Sequence, residues 1–245
     1  MIGSDDPGRP VAQRRASRKL LTLVAARMVA GVLVTGTMLL LAAGTPAWPG
    51  AWGLLVAMLA GYIVFLVGVV WRHPDLIEER ITSDRAAGVK PWDRPIVVAA
   101  AIVLPPLVWL VAGFDRRYGW SPPFAWPVIT VAVAAFAGSS LLTYWAMASN
   151  RFFSALVRIQ HERGHAVADR GPYAFVRHPG YVGAIGTSLA TPVVLSSIPA
   201  LGIGLLIVAL FVIRTALEDR TLHRELDGYE AYAARVRWRL LPGVW

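Results

Sequence analysis

The run from Arg170 to Gly183 gathers two arginines, a histidine, two tyrosines and a phenylalanine against the start of an apolar stretch. Within it, Arg177-His178-Pro179 sets a rigid fork of guanidinium donors beside an imidazole. Pro179 biases His178 toward an extended backbone ahead of a helix that starts near Tyr181. Such a fork binds a carboxylate through two parallel hydrogen bonds, and more strongly where water is scarce. The imidazole could remove a proton from an amine or hydroxyl. The competing reading is a juxtamembrane Arg and His that meet lipid phosphate.

A second chemical centre is the acidic pair Glu218-Asp219, near the start of the polar run 214–245. Segment 214–236 reads as an amphipathic helix, with Leu217, Leu222, Leu226, Tyr229 and Val236 near one stripe. Neighbouring helical residues point about 100° apart. One carboxylate should therefore face a pocket, expected to be Glu218, while Asp219 pairs with Arg214, Arg220 or His223. Read as a bland feature, the same segment is a solvated charge run with i, i+4 pairs. A third pattern, His161-Glu162-Arg163-Gly164-His165, satisfies the His-Glu-x-x-His signature of zinc proteases. Gly164 weakens a helix there by about 1 kcal/mol, and no spacing singles out a third ligand, so the site is read as holding no metal.

The elements that must position these residues are transmembrane helices. The chain is 56% hydrophobic and only 16% charged over 245 residues, which is too apolar for a soluble domain. A helix needs about 20 mostly apolar residues to cross the hydrocarbon layer. Six stretches qualify: 20–43, 48–71, 95–113, 127–148, 181–198 and 199–216, the last two short enough to form a tilted hairpin instead. The fold class expected is all-α, a polytopic integral membrane helical bundle of about six transmembrane helices with a C-terminal cytoplasmic amphipathic helix. Residues 1–19 read as a basic cytoplasmic arm and 20–245 as a single membrane domain. Pro105-Pro106 and Pro192 should kink or break their spans. Gly180, Gly183 and Gly186 share a face suited to close helix packing.

The formal charge of +9 is a topology signal. Lys and Arg cluster before span one, between spans two and three, after span four and from Arg214 onward. The opposite face carries only Arg116 and Arg117. This positive-inside bias predicts a multi-pass protein of the cell (inner) membrane with both termini cytoplasmic and with contacts to membrane lipids, and it argues against nucleic acid as a partner. Polar segments 72–94, 149–180 and 214–245 then share the cytoplasmic face and hold all five histidines. Loop 72–94, with His73-Pro74 and Trp92-Asp93-Arg94, is a candidate lid. The absence of cysteine excludes disulfides, thiolate nucleophiles and Cys-ligated metal sites. The spans are nearly free of ionisable groups, unlike those of most transporters and pumps.

Taken in order, His165-x-Val167, Gly171-Pro172-Tyr173, Arg177-His178-Pro179-x-Tyr181-x-Gly183, an apolar hairpin, Glu218-Asp219, Tyr229-x-x-Tyr232, Arg235-Val236 and Leu241-Pro242 resemble the isoprenylcysteine carboxyl methyltransferase family. The similarity is greatest to bacterial members of unassigned substrate, and the family is related to phospholipid N-methyltransferases. It covers 150–245, the methyltransferase-like catalytic part. The resemblance implies an integral-membrane enzyme that takes methyl from S-adenosyl-L-methionine without a Rossmann domain and passes it to a lipophilic small-molecule or lipidated acceptor. It implies a cofactor pocket of His165, Gly171, Pro172, Tyr173, His178, Pro179, Tyr181, Glu218 and Asp219. Arg177, His178 and Arg235 would be catalytic, the two arginines nearer the acceptor or the cofactor carboxylate. Two departures stand out: the acidic pair, usually two Glu, reads Glu218-Asp219, and a Gly-x-x-Tyr step shortens to Gly228-Tyr229, which shifts the register around Arg235. Two other enzyme classes compete, a zinc membrane protease using His161 and His165 and an NADPH-dependent reductase of the sterol-reductase type.

Overall fold

The computed structural model describes the backbone of residues 11–70 and 88–245 and the side chains of 21–68 and 88–245. Most of the basic arm and of the candidate lid, including His73-Pro74, lies outside the described residues. The described chain is all helical. We label α1 (Val11–Ala43), α2 (Pro49–Phe65), α3 (Asp93–Tyr118), α4 (Trp126–Ser149), α5 (Pro179–Val194), α6 (Ile198–Glu225) and α7 (Tyr229–Arg235). Among the described residues, five helices are long and apolar enough to cross a membrane: α1 from Leu21, α2 with its continuation to Gly68, α3, α4 and α6.

The sixth expected span, 181–198, is α5, which is shorter than these five but reaches the α3–α4 connection at its far end, where Ser197 Oγ donates to Asp115 at 2.6 Å and the Ile198 N–H to Ser121 Oγ at 3.0 Å. Its 16 residues extend about 24 Å at 1.5 Å per residue, short of a hydrocarbon layer of about 30 Å. Pro192 lies in its last turn and cannot donate to the preceding turn. The chain then reverses through Leu195–Ser197, where Ser197 caps α6 by accepting the Ala200 N–H. The pair α5–α6 is thus a hairpin of unequal arms, 16 and 28 residues, whose turn packs on the α3–α4 connection. A second difference concerns the amphipathic helix 214–236. Its first three turns are the end of α6, and the chain breaks at Leu226 and Gly228, whose φ of 79° favours glycine. Four residues of the expected stripe, Leu222, Leu226, Tyr229 and Val236, pack across the break with Tyr232 and Ile159 in one cluster, which does not include Leu217.

Around the prolines of α3 the helix changes type: a π-helical stretch, Val98–Val103, gives way at Leu104 to the α-helical turn that opens with Pro105-Pro106. The α5 glycines do set helix approach. A Cβ on Gly183 would lie 2.1 Å from Thr143 Oγ1 and 2.5 Å from the Ser139 carbonyl, and one on Gly186 would lie 2.1 Å from Ser139 Oγ. Only glycine admits α4 at that distance. This contact fixes Asn150, at the end of α4, beside the start of α5. The end of α6 and the start of α3 reach the same end of the bundle, tied by Lys90 to Glu225 at 2.6 Å. The polar segments 149–180 and 214–245 and the end of 72–94 therefore meet on one side.

Candidate functional site

At that end a cavity opens between connection 150–178, the first turn of α5, the last turns of α6, and α7. Its wall is held by two buried carboxylates that ordinary sequence reasoning would place at a surface. Asp93 is fully buried and takes the guanidinium of Arg214 on both oxygens, at 2.7 and 2.9 Å. It also accepts the Val157 N–H at 2.7 Å, and Arg214 donates on to the Ala155 carbonyl at 2.9 Å. A charge buried at this depth needs such a complete set of partners. The Arg214 guanidinium in turn lies 5.1 Å from the centre of the Tyr181 ring, over its face.

Asp219 is the second hub. One of its oxygens accepts from Arg177 Nε at 2.8 Å and from the Tyr229 hydroxyl at 2.9 Å, with His178 Nε2 at 3.4 Å. Its other oxygen accepts from Arg239 Nε at 2.7 Å and Arg177 Nη2 at 3.1 Å. The remaining Arg177 nitrogen, Nη1, donates to the Val236 and Arg237 carbonyls at 2.9 and 2.8 Å. Backbone bonds from Arg177 N to Trp238 O and from His178 N to Arg239 O complete a clasp between the start of α5 and the chain after α7. The fork expected to hold an external anion is therefore closed on Asp219, because a carboxylate in the same dry space is the nearest counter-charge. Of the partners expected for Asp219, His223 stands 3.7 Å away, whereas Arg214 is engaged by Asp93.

Glu218 behaves as its neighbour does not. It lines the cavity, as expected of the inward carboxylate, and accepts the Tyr181 hydroxyl. The Tyr181 and His178 rings stack at 5.7 Å. His165 lines the opposite wall, packed 4.5 Å from the Phe152 ring. Its Nδ1 accepts the Gln160 N–H at 3.2 Å, so the ring proton sits on Nε2. Burial first, and then the charges of His161 and Arg158, lower its pKa to about 4, leaving a neutral donor and a weak base. Burial likewise pushes the Tyr173 hydroxyl well above its usual range. Tyr173 is placed by the Tyr232 hydroxyl, which donates to its carbonyl at 2.8 Å.

Of the sequence-predicted site residues, His165, Tyr173, Arg177, His178, Tyr181 and Glu218 line the one cavity. Gly171, Pro172, Pro179 and Asp219 stand behind it. Gly171 has φ 61°, and a Cβ there would meet Ser149 Oγ at 2.4 Å, so it serves a close turn. Arg235 is apart: its side chain is 67% exposed and pairs with Asp169 at 3.1 Å. Sequence reading missed Asp93, Arg158 and Arg239. Arg158 is a buried cation on the cavity wall that pairs with exposed Glu162 at 2.6 Å.

The zinc signature loses its scaffold here. His161–Arg163 is a single 3₁₀ turn ended by Gly164 at φ 62°, so the two histidines do not share a helix face. Among the described residues no three His, Asp or Glu gather as metal ligands.

Carboxylate, guanidinium, imidazole and stacked aromatic rings thus converge at the membrane end of a helix hairpin, within one stretch of sequence. Residues 130–224 match the model of the isoprenylcysteine carboxyl methyltransferase (ICMT) family. The matched region runs from α4 to the last turn of α6 and contains every cavity-lining candidate named above, while Arg235 lies beyond it. The matched segment is less than half of the chain, and it holds two of the five described helices long and apolar enough to cross a membrane, α4 and α6. No curated protein matches the chain.

Proposed function

We propose that the protein is an integral-membrane methyltransferase that draws on S-adenosyl-L-methionine at this cavity and serves a lipophilic acceptor at the cytoplasmic face. The observation that carries the reading is the division of labour between adjacent carboxylates inside the ICMT-matched segment: Asp219 is saturated by cations and a phenol, whereas Glu218 faces the cavity.

The lining fits a zwitterionic sulfonium nucleoside. Glu218 and the rings of Tyr173 and Phe153 suit a sulfonium cation. Arg158 and the His165 Nε2–H offer donors for a carboxylate or a nucleoside oxygen. When bound, S-adenosyl-L-methionine supplies an electrophilic methyl carbon. The chain's own contribution is to orient and to exclude water, the main needs of an in-line displacement. The Asp93–Arg214 pair holds the Tyr181 ring, Tyr181 holds Glu218, and the Arg177–Asp219 clasp fixes His178 against the cavity. Arg177 in this reading is a positioning residue. A carboxylate acceptor arrives ionised and needs no base, while an amine or hydroxyl would pass its proton to His178 or Glu218. Arg235 has no role at the reacting atoms. Both chain termini face the cytoplasm in this reading, since the nucleotide donor is cytosolic and the charge bias lies on the cavity side.

Isothermal titration of the detergent-purified protein with S-adenosylhomocysteine tests the assignment. Wild type should bind, and Glu218→Ala and His178→Ala should lose most of the affinity. Equal binding by all three rejects the site.

A further inference from the structure

A second cavity, of about 240 Å³, lies inside the bundle and is walled by α2, α3, α4, α5 and α6. Thr187 on its wall follows Tyr181 by six residues, about 9 Å along α5 at 1.5 Å per residue. The cavity therefore lies farther along α5 than the first site, with which it shares no lining residue.

Its hydroxyl groups fall into two kinds. Those of Ser140, Thr187, Ser188 and Thr191 donate back to carbonyls of their own helices at 2.8 to 2.9 Å. Tyr62 and Tyr144 do not. Both rings line the cavity, their phenols lie within electrostatic reach of each other, and neither has a hydrogen-bond acceptor among the described residues. The indole N–H of Trp109, on the same wall, is in the same position. Gly61 leaves room for the Tyr144 hydroxyl, which would lie 3.4 Å from a Cβ there. None of the three is sealed in the wall, so each is open to whatever fills the cavity, and an occupant that gives it no acceptor is costly. A purely hydrocarbon occupant would leave all of them unmet. A ligand with a well-placed acceptor oxygen would satisfy them.

We propose that this cavity binds the body of a membrane-dissolved lipid carrying a carbonyl oxygen, as in an ester, ketone or quinone, with Tyr62 and Tyr144 donating to it. The proposal rests on the methyltransferase reading only in taking this lipid as the acceptor whose reacting end reaches the first cavity. It makes the two phenols specificity-determining residues that select against a simple hydrocarbon chain.

The test uses the full chain in detergent micelles, with thermal-shift titrations of 2-heptadecanone and of heptadecane. Wild type should bind the ketone at least about tenfold more tightly than the alkane. The Tyr62→Phe/Tyr144→Phe double variant should lose that preference. Without added lipid it should melt at the same or a higher temperature, because an unmatched donor has been removed. Equal binding of ketone and alkane by wild type overturns the proposal, as does a preference kept by the double variant or a lower melting temperature for it. S-adenosylhomocysteine titration of the same preparations separates the two readings. If wild type fails to bind it while the ketone preference still depends on the phenols, the methyltransferase reading falls and the lipid site stands.

Discussion

Asp219→Asn should unfold the protein more readily without touching the cavity surface directly. Asp219 is 1% exposed and is the shared counter-charge of Arg177, itself 7% exposed, and of the more accessible Arg239. Removing the charge leaves the Arg177 guanidinium buried with two backbone carbonyls and a neutral amide. Breaking a buried pair from one side costs about 3–5 kcal/mol. The Arg239 contact, with that side chain 35% exposed, adds at most about 1 kcal/mol because solvent screens it. Arg177→Gln should cost a similar amount, since it strands Asp219. The double substitution should cost less than the sum of the two, with a coupling of about 1–3 kcal/mol. The assay is a double-mutant cycle by reversible unfolding in mixed micelles. Glu218→Gln in the same assay should change stability by less than about 1 kcal/mol. If Asp219→Asn proves as mild as Glu218→Gln, or if the two clasp mutations simply add, the hub assigned to Asp219 is refuted.

Other expectations follow from the same geometry. Asp93→Asn should weaken S-adenosylhomocysteine binding by about tenfold through the Arg214–Tyr181 wall, with Asp93→Glu retaining part of the affinity in titration calorimetry. Arg235→Ala should leave both that affinity and the melting temperature nearly unchanged, within about 0.5 kcal/mol, because its pair with Asp169 is exposed. Gly183→Val should disrupt the α4–α5 approach and lower the yield of monodisperse protein on size exclusion. His165 has a folded pKa of about 4 against an ordinary value of 6.5, so the unfolded chain binds more protons between those values. Its stabilising contribution is complete above about pH 6.5 and is lost as pH falls toward 4. Melting curves from pH 7 to 4 should fall more steeply for wild type than for His165→Gln.

Much of the bundle was legible because its signals are local. Apolar runs of transmembrane length, the α5 glycines at a three-residue spacing and the proline positions each dictate structure over one helix, and all reappear. The sixth apolar stretch reappears as α5, shorter than the other spans because Pro192 and the turn at 195–197 end it. The cavity-lining set was legible through an ordered motif, and Glu218 was separable from Asp219 because neighbours on a helix diverge. What sequence could not supply was pairing across distance. Asp93 and Arg214 are 121 positions apart, and nothing in either neighbourhood names the other. Arg177 carried every local mark of an anion-binding fork, yet its partner is internal because Asp219 and the 236–239 backbone fold onto it. The break at Gly228 escaped the helix reading because the apolar stripe continues through it, and the stripe reflects packing around Ile159 rather than one continuous helix.

The most direct test of the central claim is ultraviolet crosslinking of methyl-tritiated S-adenosyl-L-methionine to the purified protein, followed by peptide mapping. The account predicts label in peptides from both 150–181 and 214–232, abolished by excess S-adenosylhomocysteine and by Glu218→Ala. Label confined to other segments, or insensitive to both, would contradict it.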